Sequence, residues 1–427
     1  MALAQAHRRS FTKAAQSADL ALWPTKVLVF MPVVMATVLS KFSPPLGGAM
    51  PGLSMVLPVC FAAVVVGVLS SRMQLASNRL AWFLAMLSVL GLIQVWRGDM
   101  FSLTSVLMMG VLGLSYVPVA REGVTSADAV RFFCNLSVLI ALLGILQFLL
   151  QFAVGRDAAF PIETWVPEAF RTHGYNNMTP LYWGSPIYKA NGIVMVEPST
   201  FSQLCALGLI AELSSRERLW RLLAYAGALV VSYSGTGLLI LAVTLPLFVI
   251  IYARWDLLIK GLLLFAVLAI FSEPLHLQVI LNRAGEFNSS GSSAFERFVG
   301  WQNLFAEKLW TSPSRALLGY GAGSYFEAAS GYDAGEMAHA KIIFEFGVVG
   351  ALLYFGFVFY CLFRSTAPLI LRIAVGVAYF MNGAYSPTVT GVATSLLLWP
   401  VQEPVTKPQR VGWLEMLFGR REVRHAA

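Results

Sequence analysis

Charge is what this chain has least of. Only 12% of its 427 residues are Asp, Glu, Lys or Arg, and 57% are hydrophobic; a soluble domain carries about 25% charged residues. That excludes an ordinary water-soluble globule and indicates a polytopic membrane protein. Long polar stretches are missing too: none exceeds about 70 residues, short of the usual domain size, so no separate soluble domain is evident. The cysteines are few, Cys60, Cys134, Cys205 and Cys361. All lie within apolar runs, where they act as small packing residues. No CxxC or Cys/His spacing suggests a metal, and the polar stretches hold no cysteine for a disulfide. No fixed-period repeat is visible. The first apolar run follows Arg8, Arg9 and Lys13 but lacks a small-residue cleavage site, so it reads as a retained helix.

What the chain has in abundance is apolar runs. With about 17–25 residues per helical span, candidates lie near 24–40, 52–70, 80–96, 101–120, 132–154, 193–213, 219–234, 236–253, 256–272, 340–363, 367–385 and 388–402. The expected fold is therefore all-α: a polytopic integral membrane protein of about twelve transmembrane helices, residues 1–427 forming a single transmembrane domain. Between 219 and 253 the Ser232–Gly237 stretch reads as a tight turn, and Pro387 separates the last pair.

Basic residues set the orientation. With the N-terminus inside, the even connections and both tails carry Arg72, Arg79, Arg121, Arg131, Arg216, Arg218, Arg221, Arg254 and Arg364, then Lys407, Arg410, Arg420, Arg421 and Arg424; the short outside connections offer little more than Lys41 and Arg97. This is the positive-inside pattern, and it removes any need for a nucleic-acid reading. The same parity puts two long loops, 155–192 and 272–338, on one outer face. Both are polar yet rich in aromatics, among them Trp165, Tyr175 and Trp183 in the first and Trp301, Trp310 and Tyr320 in the second. Interfacial belts use such residues, and aromatic faces also stack on sugar rings.

Candidate chemistry centres on Ala338–Gly350, where His339, Lys341 and Glu345 occupy the mouth of an otherwise apolar helix. Polar groups are costly there and usually mark a site. An imidazole titrates near neutrality and suits a base for a hydroxyl; the alternative is a helix-mouth cap. Lys341 and Glu345, four apart, are placed to pair with each other, and Gly347 with Ala351 offers a small face for helix packing. Asp333, Glu336 and His339 recur every three residues; a metal is conceivable, but acidic residues also simply favour a helix N-terminus. Neither loop contains an Asp-x-Asp pair, which weakens a metal-bound sugar-nucleotide donor. Arg297, four before Trp301, has the planar fork that suits phosphate, or stacks on that ring. Arg283, Arg171 and Lys189 are the next cations available for a phosphate. Gly319-x-Gly-x-Gly323 has no strand around it and reads as a tight loop rather than a dinucleotide fingerprint. Glu197 precedes Pro198 at the start of an apolar run, either as a helix-start cluster or as a carboxylate partnered by Lys189 or an arginine of the second loop.

Several of these features together resemble the O-antigen ligase and polymerase family of bacterial membrane glycosyltransferases. They are the two outer loops, Arg297-x-x-x-Trp301, Leu318-Gly-Tyr-Gly-Ala-Gly-Ser-Tyr-Phe326, and His339 followed by Glu345-Phe-Gly-Val-Val-Gly350. The likeness spans about residues 130–365. Glu197-Pro-Ser199 and Ser232-Tyr-Ser-Gly-Thr-Gly237 look most like exopolysaccharide and O-antigen polymerases; ligases often carry an arginine where Gly235 stands. An asparagine commonly follows the histidine, where this chain has Ala340. The resemblance implies polymerisation of undecaprenyl-diphosphate-linked oligosaccharides at the periplasmic face of the inner membrane. It implies inverting transfer without metal or cofactor, with His339 and Arg297 catalytic and with Arg283, Lys189, Glu197, Arg171, Trp301 and Tyr320 binding substrate. A chain-length regulator and a flippase are the further partners it implies, with no nucleic acid. Transfer of glycan to lipid A core, as in a ligase, and transport of the same lipid are the alternatives.

Overall fold

The computed structural model describes residues 22–43, 56–97, 101–172, 175, 177–382 and 386–402. Both termini, with Arg8, Arg9, Lys13 and the basic residues from Lys407 to Arg424, lie outside the described residues. Within them the chain is mainly helical: α1 (Leu22–Thr37), α2 (Val56–Leu69), α3 (Ser77–Arg97), α4 (Leu103–Ser115), α5 (Ser126–Ala153), α6 (Pro198–Leu213), α7 (Leu219–Ser232), α8 (Gly235–Tyr252), α9 (Asp256–Ile270), α10 (Ala338–Phe363), α11 (Leu369–Phe380) and α12 (Pro387–Leu398). Each falls on an expected apolar segment. Four of them, α3, α5, α8 and α10, are long and apolar enough to cross a membrane; the others are shorter or less apolar.

The shortening has local causes. The run expected as 101–120 stops as a helix at Ser115. Pro118–Ala120 (β2) instead pairs antiparallel with Met73–Leu75 (β1), since Pro118 lacks the N–H that would continue the helix. The run expected as 193–213 becomes helical only at Pro198, which takes the first turn with Glu197 as its N-cap. The expected turn at 232–237 is tight: α7 ends at Ser232, Tyr233 is left-handed, and α8 begins at Gly235.

Helix α6 is the centre of the bundle. Apart from Ser199 and Leu209 its residues are buried, from Pro198 to Leu213, and it packs against α5, α7, α8 and α11. A helix apolar all round is stable only when enclosed. In contrast α9 is apolar yet has no buried residue, with Leu262, Phe265 and Ile270 more than two-thirds exposed. Such a surface fits hydrocarbon as its solvent.

On the side of the bundle away from the long loops, the arginines do more than set orientation. Arg79 is buried and donates to the carbonyls of Tyr116, Pro118 and Leu398, tying β2 and α12 to α3. Arg221 is buried against Glu212 at 3.2 Å and Asn135 at 2.7 Å.

The two long connections are folded, not draped. The second packs a small core of Leu304, Phe305, Leu309 and Tyr325 against Phe344 of α10. The first rests on a buried polar network: Lys41 donates to the Glu163 carboxylate and the Ile193 carbonyl, Asn191 donates to Glu163 at 3.1 Å, and Gln147 donates to Asn191 at 3.0 Å. Lys41 thus sits beneath the first loop as an internal tie rather than at a free surface. Desolvation lowers its pKa to about 8, against the opposing pull of Glu163.

Helix α10 is broken. Gly347 has φ +66 and ψ −172, and the carbonyls of Phe344 and Glu345, freed from the helical ladder, accept the N–H groups of Tyr320 and Gly321. The 319–323 stretch is therefore a tight loop with Gly319, Gly321 and Gly323 all at positive φ, seated on the break. A Cβ on Gly347 would lie 2.2 Å from the Leu317 carbonyl oxygen. Gly347 serves this close approach and interrupts the helix, so it does not form the regular small-residue packing face expected with Ala351.

Candidate functional site

Two cavities lie between the long loops and the helix ends, with Glu197 and Arg297 lining both. The first is a groove of about 390 Å³. At its polar end stand Lys189 from the first loop, Glu197 and Ser199 from the start of α6, Ser234 and Thr236 from the start of α8, and Arg297 from the second loop. Its apolar side runs along Leu238, Leu239 and Ala242 of α8 beneath Phe287 and Phe298. The second, a pocket of about 290 Å³, is more polar and includes Thr172, Tyr175, Glu336, Asn382 and Thr388. Residues from 155–192 and 272–338 line both cavities, so the two loops share one face of the bundle.

Local sequence explains the polar end. Pro198 fits the first turn of α6 because its missing N–H has no partner to lose. Gly237 lets the first turn of α8 lie against Ser202, whose hydroxyl accepts its N–H at 3.0 Å; a Cβ there would meet the Ser202 carbonyl at 2.4 Å. Thr236 donates to the Ser199 carbonyl at 3.1 Å. Two helix N-termini thus converge on the groove, and such termini favour anions.

Arg297 lies on the wall between the cavities, its Nη2 3.7 Å from Glu197 Oε1. Its Nη1 is buried and has no hydrogen-bond partner among the described residues. Glu197 also accepts from the Ser199 hydroxyl. Lys189 is buried. Glu286 adds a second carboxylate to the groove, so the cations there are balanced rather than in excess. In the outer pocket, partial burial followed by the carboxylates of Glu197 and Glu336 pushes the Tyr175 phenol up.

The remaining expected site residues are placed as follows. His339 lines neither cavity; its ring meets Trp301 edge-on at 5.0 Å and Phe380 at 6.0 Å, and its Nδ1 is buried with no hydrogen-bond partner among the described residues. It is two residues from Met337, which does line the outer pocket. Trp301 packs on Phe305 as well. Tyr320 stacks on Phe344 at 4.7 Å beneath Arg315 and donates to the Lys308 carbonyl, so it belongs to the core of the second loop. Arg171 donates to the Glu163 carbonyl at 2.8 Å, bracing the first loop. Arg283 lies in the short helical segment Asn282–Asn288, its side chain outside the described residues.

Lys341 and Glu345 do pair, at 2.9 Å, both buried. Asp333, Glu336 and His339 do not share a helix: α10 starts only at Ala338, Asp333 is left-handed, and its carboxylate accepts from Ser290. Among the described residues, no three His, Cys, Asp or Glu side chains group as metal ligands would. Ser234 and Thr236 lie within a sequence motif and Tyr175 among the loop aromatics, but the sequence assigns none of the three to a site, and it does not single out Asn382. The signal for the first two is a short Ser-Gly-Thr-Gly turn between two apolar runs, and for Tyr175 an aromatic in a polar loop; for Asn382 only the fold supplies it. Comparison of the chain with family models, with curated proteins and with solved structures finds no match.

Proposed function

We propose that this protein is a membrane glycosyltransferase that joins glycans carried on a polyisoprenyl diphosphate, polymerising repeat units at the outer face of the bacterial inner membrane. The observation that carries the reading is the groove. One end offers an arginine, a lysine, hydroxyls and two helix N-termini for a diphosphate, and the other offers leucines of a membrane-length helix for an isoprenoid tail. A polar pocket sharing the Glu197–Arg297 wall is then the place for an acceptor sugar. All twelve helices are read as lying in the membrane, the shorter ones where the bilayer is locally thinned or polar residues reach the interface.

In the proposed step the acceptor hydroxyl in the outer pocket attacks the anomeric carbon of the donor. The bond to the diphosphate breaks with its electron pair leaving on the phosphate oxygen, and Arg297 with Lys189 offsets that charge. The geometry supports Glu197 as acceptor of the hydroxyl proton, because its carboxylate faces both cavities. His339 packs edge-on against Trp301 and lines neither cavity, so it is assigned to positioning Trp301. The test is incubation of purified protein with a synthetic diphospholipid-linked repeat unit. A ladder of longer products supports the reading, and hydrolysis or no change refutes it.

One observation favours a second reading. Interrupted helices with buried polar groups are common in transporters, and α10 is broken at Gly347 beside the buried Lys341–Glu345 pair. Movement of the lipid-linked glycan across liposomes without lengthening would establish transport instead.

A further inference from the structure

On the side of the bundle away from the two long loops, a cationic cavity has no part in the proposed chemistry. It measures about 450 Å³ and lies where α5 begins, α6 ends and α7 begins. Helix α6 has Pro198 and Ser199 of its first turn in the groove and Glu212 of its last turn in this cavity, so about 21 Å of helix, at 1.5 Å per residue, separates the two. Four arginines line it, Arg131, Arg216, Arg218 and Arg221, against one carboxylate, Glu212. That carboxylate is already engaged by the Arg221 guanidinium at 3.2 Å and by the Arg218 backbone N–H at 3.3 Å. Among the described residues, Arg131, Arg216 and Arg218 have no ion-pair partner. The buried Arg221 keeps one nitrogen, Nε, without a hydrogen-bond partner. Orientation by basic residues explains arginines on this side. It does not explain their enclosing a cavity around one neutralised acid.

We propose that this cavity is a binding site for a phosphate-bearing anion, and that its source is the headgroup of an anionic membrane phospholipid. Guanidinium forks suit phosphate oxygens, and basic pockets between membrane helices bind such headgroups. The lipid source is favoured by the adjoining surface. Leu219, Trp220 and Leu223 at the start of α7 are each more than half exposed, and the Arg221 guanidinium lies over the Trp220 ring at 5.2 Å. An acyl chain can follow that apolar face while its headgroup occupies the arginines.

The protein, purified into phosphatidylcholine nanodiscs, is titrated with phosphatidylglycerol and, separately, with inorganic phosphate; bound lipid is read by native mass spectrometry and stability by thermal unfolding. Phosphatidylglycerol is expected to be retained and to raise the unfolding temperature. Arg216→Gln/Arg218→Gln is expected to weaken it roughly 30-fold, from about 1 kcal/mol per arginine near a membrane surface. Arg121→Gln/Arg364→Gln removes equal charge from outside the cavity and is expected to leave binding within about threefold. Should the double variant fold poorly, Arg131→Gln, at an exposed position, is expected to give about a fivefold loss. Equal loss in the control, or no preference for phosphatidylglycerol over phosphatidylcholine, overturns the site. Stabilisation by inorganic phosphate without lipid retention keeps the anion site and overturns its lipid source.

Discussion

Arg297 stands on the wall between groove and pocket, so changing it affects donor and acceptor together. Arg297→Ala is expected to lower chain lengthening by about 10²–10³-fold, the scale of removing one group that stabilises developing charge. Arg297→Lys should also be impaired, because a point charge does not replace a bidentate fork. Rates measured on the synthetic diphospholipid, with lipid binding measured alongside, check both. Glu197→Gln is expected to cost about 10²–10⁴-fold, the range of a general base, while His339→Ala costs less than about tenfold. If the histidine variant folds and binds lipid yet loses as much as the glutamine variant, the base is His339 and Trp301 must move. Activity in both wild type and variants is expected to survive EDTA; loss restored by magnesium or manganese would place a divalent ion in the step.

At the scale of elements, two devices hold the loops over the site. The break in α10 depends on a glycine at positive φ facing the Leu317 carbonyl. Gly347→Ala is therefore expected to destabilise by more than the roughly 1–3 kcal/mol of a residue held in a sparsely populated backbone region, since the Cβ also collides with backbone; unfolding temperature in detergent measures it. The other device is the Lys41–Glu163 tie. Lys41 titrates near 8 when folded, against 10.5 for an ordinary lysine, so between those values the unfolded chain binds more protons. Stability from this group then rises with pH across that window and is lowest below pH 8. Unfolding curves of wild type and Lys41→Met are expected to shift in favour of wild type as pH climbs from about 8 to 10.5. A pH-independent difference would show that Lys41 keeps an ordinary pKa in the fold.

For the whole molecule, the testable statement is that one face carries both long loops and the opposite face carries the arginine cavity. All four native cysteines are buried, so background labelling is low. Single cysteines at Trp183 and Ser290, both exposed, are expected to react with an impermeant maleimide from the periplasmic side of intact cells. A cysteine at Ser215 should react only after the membrane is opened. Labelling of Trp183 and Ser290 from opposite sides would dismantle the shared site.

Much of the element scale was readable in advance. Each expected apolar segment carries a helix, four of them long and apolar enough to cross a membrane, and Pro198, Pro387 and Ser232–Gly237 mark starts and turns through local backbone chemistry alone. Lys341 and Glu345 pair because four residues is one helical turn. Distance along the chain hides the rest. That Glu197 meets Arg297, a hundred residues away, that Lys41 is buried under Glu163, and that the His339 ring packs against Trp301 and Phe380 are consequences of long-range packing. Which of two residues faces a cavity depends on helix rotation and on neighbours from other segments. Local pattern determines a helix; only its partners decide which side chains it presents to a substrate.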